Sequence, residues 1–228
     1  IQTSQQWWPR ISGNTVVWSD HRGPQLSVIY GYDLDTRTEY PIWTSGDGGD
    51  MPSINGNIVA WRNFDGTGQG STSHIFAEDL STGQVTAVCT AIGGQWAPCV
   101  GTDMIVWSDT RNGRQDIYGK SLATGQEFFV TTAGDINHEV EAWIAGNTVV
   151  WKDGRDGEIS IYGKDLVSGN EFPICTALGI QISPRIDGHT VVWKDARSDT
   201  GDIYSTNLVT GQELLICSPT SPVANVSR

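Results

Sequence analysis

The sequence predicts an all-β chain folded as a five-bladed β-propeller with four antiparallel strands in each blade. Three observations point there. Trp18, Trp61, Trp107, Trp151 and Trp193 recur at separations of 43, 46, 44 and 42 residues, the mark of one supersecondary unit copied and stacked. Each copy holds four short stretches rich in Val, Ile, Tyr and Phe, bounded by turn residues, as strands joined by hairpins should be. No stretch has the apolar periodicity of a helix.

The elements follow in order within each copy. The first strand follows Pro9, Pro52, Pro98 or Pro184, or Ala142 in the fourth copy, and ends at pairs such as Gly13 and Asn14 or Gly146 and Asn147. Gly and Asn tolerate positive φ, so these pairs predict tight turns. The second strand, for example Thr148 to Trp151, is the most apolar, so it should be buried on both faces. A loop carrying Asp-x-Arg leads to a third strand at Ile29, Ile75, Ile117, Ile161 or Ile203. A second turn, such as Thr82 and Gly83, leads to the fourth. A single blade cannot bury both of its faces, whereas five in a ring cover one another. The copies run 1–46, 47–92, 93–134, 135–179 and 180–217, one propeller domain over 1–217 with a tail at 218–228. A solenoid is the rival, but its repeats are usually shorter or helical.

The pattern Pro-x-Ile-x-Gly-Asn-x-Val-Val-Trp-x-Asp-x-Arg-x-Gly-x-x-Asp-Ile-Tyr-x-x-Asp-Leu-x-Thr-Gly-x-Glu, clearest in the third and fifth copies, resembles the TolB-like propeller repeat and repeats of microbial cell-surface proteins. The second copy departs, with Asn63 for the Asp and a longer loop from Phe64 to His74. The resemblance covers nearly the whole chain and implies a fold that serves as a binding and assembly platform, without naming a partner.

The chain has 228 residues and a net charge of −12, from 26 acidic and 14 basic side chains. That balance argues against nucleic acid, whose phosphates need a basic surface, and suits cations. No apolar run is long enough for a membrane-spanning helix, and no signal peptide heads the chain. It begins at Ile1, which suggests a processed product or a cut fragment, and Ile1 to Ser4 resembles the end of a fourth strand. Asn225 to Ser227 is a lone glycosylation sequon. The tail reads as a disordered terminus or as an arm adding a strand to a neighbouring subunit.

Cys89, Cys175 and Cys217 share one place, the end of the fourth strand, in copies two, four and five. Fourth strands lie about 14 Å outside first strands, so equivalent points on different blades exceed the ~7 Å Cα separation a disulfide allows. Cys99 has only Cys89 near it in sequence, which predicts an intrachain Cys89–Cys99 bridge. Cys175 and Cys217 are then buried thiols or bridges between subunits.

Three groups are candidates for chemistry. The recurrent Asp20/Arg22, Asp109/Arg111, Asp153/Arg155 and Asp195/Arg197 read as loop-holding devices, because a catalytic site is usually singular. Loops rich in hard oxygen donors offer candidate calcium ligands: Asp195, Asp199 and Asp202; Asp153 and Asp156; Asp47 and Asp50; Asp135 and Glu139. Trp7, Trp8, Trp96 and Trp143, outside the repeat, could stack on sugar rings, or else pack between blades. Asp50, Glu139, Glu141 and Asp187 are the carboxylates near first strands, and they do not reproduce a glycosidase arrangement. No nucleophile elbow, phosphate loop or zinc motif is present. The sequence therefore predicts a secreted or cell-surface, non-catalytic propeller that assembles with copies of itself or envelope partners and is stabilised by calcium. A lectin-like propeller, and a polysaccharide-active glycosidase or lyase, are the alternatives.

Overall fold

The computed structural model describes residues 5–22, 27–45, 48–65, 72–132, 140–155, 157–198 and 201–218. The predicted tail beyond Ser218, the first four residues, and the candidate ligands Asp47, Asp135, Glu139, Asp156 and Asp199 lie outside these. The described residues form twenty strands, β1 to β20, in five four-stranded antiparallel sheets. Blade 1 is β1 (Gln6–Ser12), β2 (Thr15–Asp20), β3 (Val28–Asp33) and β4 (Thr38–Trp43). Blade 2 is β5 (Gly49–Asn55), β6 (Ile58–Asp65), β7 (Thr72–Asp79) and β8 (Gln84–Cys89). Blade 3 is β9 (Gln95–Val100), β10 (Met104–Asp109), β11 (Asp116–Ser121) and β12 (Glu127–Thr132). Blade 4 is β13 (Trp143–Ala145), β14 (Thr148–Asp153), β15 (Ser160–Asp165) and β16 (Glu171–Cys175). Blade 5 is β17 (Gln181–Asp187), β18 (Thr190–Asp195), β19 (Asp202–Asn207) and β20 (Glu213–Cys217). This is the architecture of a five-bladed β-propeller. The chain divides into two compact units, blades 1 to 3 and blades 4 and 5.

First strands carry a distortion that repeats. Trp8, Met51, Ala97 and Ser183, each just before the proline, have φ of 53°, 51°, 49° and 56°. Each lies in a register shift of the first strand against the second. Proline has no N–H for the ladder and is tolerated at bulges. In blade 4, where Ala142 replaces the proline, β13 pairs only over Trp143 to Ala145.

The turn between third and fourth strands is set by an Asx residue in four blades and by Ser121 in blade 3. Asp33 Oδ1 accepts from the backbone N–H of Asp35 and Thr36 at 2.9 and 2.8 Å, and Asp165 and Asn207 do the same in their blades. The turn closes on a residue at positive φ: Gly83, Gly125, Gly169 and Gly211 at 70°, 69°, 75° and 68°, but Arg37 at 57° in blade 1.

Within each unit, neighbouring blades pack face to face by one rule. A blade presents a leading face made of the residue before its tryptophan, the third-strand Ile and the end of the fourth strand. The next blade receives it on its tryptophan, the residue two before that, and a first-strand apolar residue. Ala60, Ile75 and Cys89 thus meet Val100, Ile105 and Trp107. Val150, Ile161 and Cys175 meet Ile186, Val191 and Trp193. Val17 and Ile29 meet Ile54, Val59 and Trp61, with Trp43 at the place of the cysteine. Burying each such large side chain contributes about 1.5–3 kcal/mol.

An L-residue in the left-handed region costs about 1–2 kcal/mol, more than glycine loses in chain entropy. Arg37→Gly is therefore expected to stabilise blade 1 by up to about 1 kcal/mol, read as a higher denaturation midpoint with an unchanged m-value.

Candidate functional site

The most elaborate polar structure in the chain is built from the repeat itself. At the end of the second strand a carboxylate is buried beside the tryptophan two residues earlier. Trp18 Nε1 donates to Asp20 Oδ2 at 2.9 Å, Trp107 to Asp109 at 3.0 Å, Trp151 to Asp153 at 2.8 Å and Trp193 to Asp195 at 2.9 Å. The other oxygen, Oδ1, caps the loop by accepting the backbone N–H of the arginine two residues on, at 2.8 to 2.9 Å in all four blades. That arginine turns back to donate to the same carboxylate, from Arg22 at 2.5 Å, Arg111 at 2.6 Å and Arg197 at 2.7 Å, and from Arg155 Nε at 2.8 Å.

The far end of each guanidinium grips a glutamate on the fourth strand: Arg22 with Glu39 and Arg155 with Glu171 at 2.5 Å, Arg197 with Glu213 at 2.8 Å, and Arg111 with Glu127. Its plane lies over a third-strand ring, at 4.3 Å for Tyr30, 4.1 Å for Tyr118, 4.9 Å for Tyr162 and 4.0 Å for Tyr204. Planar stacking and a rigid donor fork are what arginine supplies and lysine does not. Burial pushes the carboxyls of Asp20 and Asp195 up, but the hydrogen bonds from Arg22 and Trp18, and from Arg197 and Trp193, outweigh it and hold both down at about 2. Hydrogen bonding to Asp20 and to Asp195 raises Arg22 and Arg197 further above their ordinary range.

Blade 2 lacks this lock. Asn63 stands at the aspartate position, and Trp61 Nε1 has no hydrogen-bond partner among the described residues. Arg62 instead makes a bidentate pair with Asp50 of the first strand, at 2.7 and 2.6 Å.

Two cysteines extend the lock across a blade boundary. Arg111 donates to Cys89 Sγ at 3.0 Å, and Arg197 to Cys175 Sγ at 3.2 Å. Burial pushes the Cys89 thiol up to about 11 and raises Cys175 as well, so both are held protonated. The predicted Cys89–Cys99 disulfide is not formed among the described residues. The pair lies ten positions apart in sequence, but the chain between them runs from the outer strand of one blade to the inner strand of the next. Cys89 turns to Arg111, while Cys99 lies opposite Val106 on β9. Cys175 is buried on its arginine and is not presented for an intersubunit bridge, whereas Cys217 is exposed.

The calcium candidates among the described residues have other partners. Asp153 and Asp195 are lock carboxylates and Asp50 pairs with Arg62. Asp202 is buried opposite Asp195 and accepts from the Ser198 hydroxyl. No three His, Cys, Asp or Glu side chains gather as a metal site among the described residues. Of the tryptophans, Trp7 is 43% exposed, lies 5.8 Å edge-on to Trp8, and with it lines an open cavity of about 410 Å³. Trp96 is largely buried opposite Ser108, and Trp143 lies under the Arg185 guanidinium at 3.9 Å. Sequence reasoning missed the glutamate that completes the lock. Its signal was the fixed interval of sixteen residues after Arg111, Arg155 and Arg197.

Removing a lock carboxylate strands an indole N–H, a backbone N–H and a partly buried guanidinium. Asp109→Ala is expected to cost about 3–5 kcal/mol, measured by denaturant unfolding. The acid dependence has a defined sign. Asp20 and Asp195 sit at about 2 against an ordinary 3.8, so their contribution is full above about pH 4 and fades as pH falls toward 2. Unfolding followed from pH 5 to 2 should show that loss, and Asp195→Asn should reduce it.

No family model matches the chain, and no curated protein matches it in sequence. Solved structures similar to it include a putative TolB from Agrobacterium tumefaciens, 14% identical over 94% of this chain and 81% of that one, TM-score 0.68. TolB from Acinetobacter baumannii is 16% identical over 92% of this chain and 53% of its own, TM-score 0.64, so this chain spans about half the length of that protein. An oligogalacturonate lyase in complex with manganese is 12% identical over 96% of this chain and 66% of its own, TM-score 0.69. At these identities the likeness speaks of fold and not of activity, and it shows that the chain has the TolB-like β-propeller fold.

Proposed function

We propose that this propeller is a non-catalytic structural subunit of an extracellular or cell-surface assembly. The observation that carries the reading is the saturation of the repeat's charged groups by one another. The four lock aspartates and their arginines, the residues most suited to acid–base work, are committed to holding loops. A device present in four blades serves the scaffold, and a scaffold with such loops suits assembly. No described helix is long and apolar enough to cross a membrane. Calcium belongs to the same proposal in a narrowed form. With Asp50, Asp153 and Asp195 engaged by arginine or tryptophan, the ion would fall to Asp202 and to the loops of Asp47, Asp135, Glu139, Asp156 and Asp199.

A second reading, a glycan-binding propeller, is favoured by Trp7 and Trp8, whose exposed edge-on pair offers a stacking platform. The lyase among the similar structures acts on oligogalacturonate by its name, but of the carboxylates that the sequence places near first strands, Asp50 is paired with Arg62, and Glu141 and Asp187 belong to different blades.

Light scattering of the native protein in calcium, and again in chelator, tests the proposal. The expected result is an assembly of several chain masses that loosens in chelator. A particle of one chain mass in both buffers removes the structural reading; tryptophan fluorescence that then shifts on oligosaccharide titration establishes the second.

A further inference from the structure

Four blades share a detail that blade 2 lacks. A small residue on the third strand stands opposite a large one on the fourth: Gly31 opposite Tyr40, Gly119 opposite Phe128, Gly163 opposite Phe172 and Ser205 opposite Leu214. The three aromatic rings lie directly on their glycines. A Cβ added at Gly31, Gly119 or Gly163 would meet the facing ring at 2.7, 2.5 or 2.9 Å. Each ring is half-buried. Blade 2 has Ala77 opposite Thr86 at this position. The ring is gone there, and Thr86 is exposed.

Its place is a cleft of about 180 Å³ between blades 2 and 3, inside one compact unit. Ala77 is its floor, and Ile58, Val88 and Leu122 are its apolar walls. An apolar cavity of roughly 150 Å³ admits a benzene ring, so the cleft holds one ring and little more. Lys120 and Asp79 give it a polar side. Lys120 Nζ donates to Val88 O at 2.8 Å, and an ammonium has two further protons to give. Asp79 Oδ1 accepts from the Ser81 backbone N–H and hydroxyl, which leaves Oδ2 free. Blade 1 shows which group fits between such neighbours. The Tyr40 hydroxyl is hydrogen-bonded to the Thr15 side chain and lies within electrostatic reach of Asp33 and Glu78. Asp33 is the counterpart of Asp79, and Glu78 that of Lys120. The empty cleft therefore offers one donor and one acceptor where blade 1 has two carboxylates, and a hydroxyl can answer both.

We propose that this cleft binds a small phenol, whose ring takes the place that Tyr40, Phe128 and Phe172 fill in other blades and whose hydroxyl accepts from Lys120 and donates to Asp79. The site is separate from the structural-subunit reading and stands or falls without it. The Ala77 methyl keeps the cleft from being filled by the chain itself. An aromatic side chain at position 86 would fold back onto that methyl, and the ring-on-glycine contacts leave no room for a Cβ. A free ring has no backbone tether and settles above it.

The test titrates the full chain with p-cresol, a tyrosine side chain without its backbone, by calorimetry and by amide NMR. A Kd at or below about 1 mM is expected for so small a ligand. Toluene, which lacks the hydroxyl, should bind about tenfold more weakly. The amide resonances of Thr86, Val88 and Leu122 should shift as p-cresol is added. The double variant Ala77→Gly, Thr86→Phe rebuilds in blade 2 the glycine–ring pair of blade 3. It should keep the fold by circular dichroism, melt at a higher temperature and lose p-cresol binding. Lys120→Met should bring p-cresol and toluene to within about twofold of each other. An absence of p-cresol binding at millimolar concentration overturns the proposal. So do shifts confined to amides away from the cleft, or undiminished binding to the folded double variant. Equal binding of toluene and p-cresol to the unaltered chain overturns the choice of a phenol. The amide shifts are read on the unaltered chain, so they decide the location even where the double variant does not fold.

Discussion

A buried carboxylate that accepts from an indole, a backbone amide and a guanidinium at once holds each locked blade in shape. Asp109 shows what this achieves. Its Oδ2 fixes the Trp107 ring that receives the preceding blade, and its Oδ1 fixes the start of the loop to the third strand. Arg111 then carries the constraint outward to Glu127 on the fourth strand. One side chain therefore ties the blade's second, third and fourth strands together. A buried charge is costly unless every lone pair is answered, and here the answers come from groups that the β-ladder leaves free.

The lock also joins blades. Cys89 and Cys175 stand where β8 and β16 end, and each touches the arginine of the blade that follows. Blade 2 shows the same logic with the lock replaced. Where Asn63 takes the aspartate's place, the preceding blade offers Trp43 instead of a cysteine, and its ring lies 5.3 Å from that of Trp61. Arg62, three positions before the place of the usual arginine, turns to Asp50 on the first strand. A missing carboxylate is thus met by aromatic packing on one side and a new ion pair on the other.

The blades were legible in the sequence because each turn is punctuated locally: the Gly–Asn pairs, the Asp33-type Asx turns and the period of the tryptophans all act within a few residues. The loop-holding part of the lock was also legible, since Asp and Arg are two residues apart. Its outer half was not, because Glu127 meets Arg111 only once two strands have paired. Asp50 was read as a metal ligand because nothing in its own neighbourhood announces Arg62. Cys89 and Cys99 were paired on sequence distance, although the chain between them crosses the full width of a blade. Residues that act through the ladder's register were the ones hidden from a linear reading.

The distorted first strands have a further consequence. β1, β5, β9 and β17 are edge strands of their sheets, and an edge strand is a ready template for unwanted pairing. Pro9, Pro52, Pro98 and Pro184 each delete an edge donor, and the left-handed residue before each proline bends the remaining amides out of line. Near-identical repeats are the chains most at risk of pairing with the wrong copy of themselves during folding. The kink therefore works as a guard on four otherwise open edges, and its strain is borne where a straight strand would have exposed the chain to misassembly.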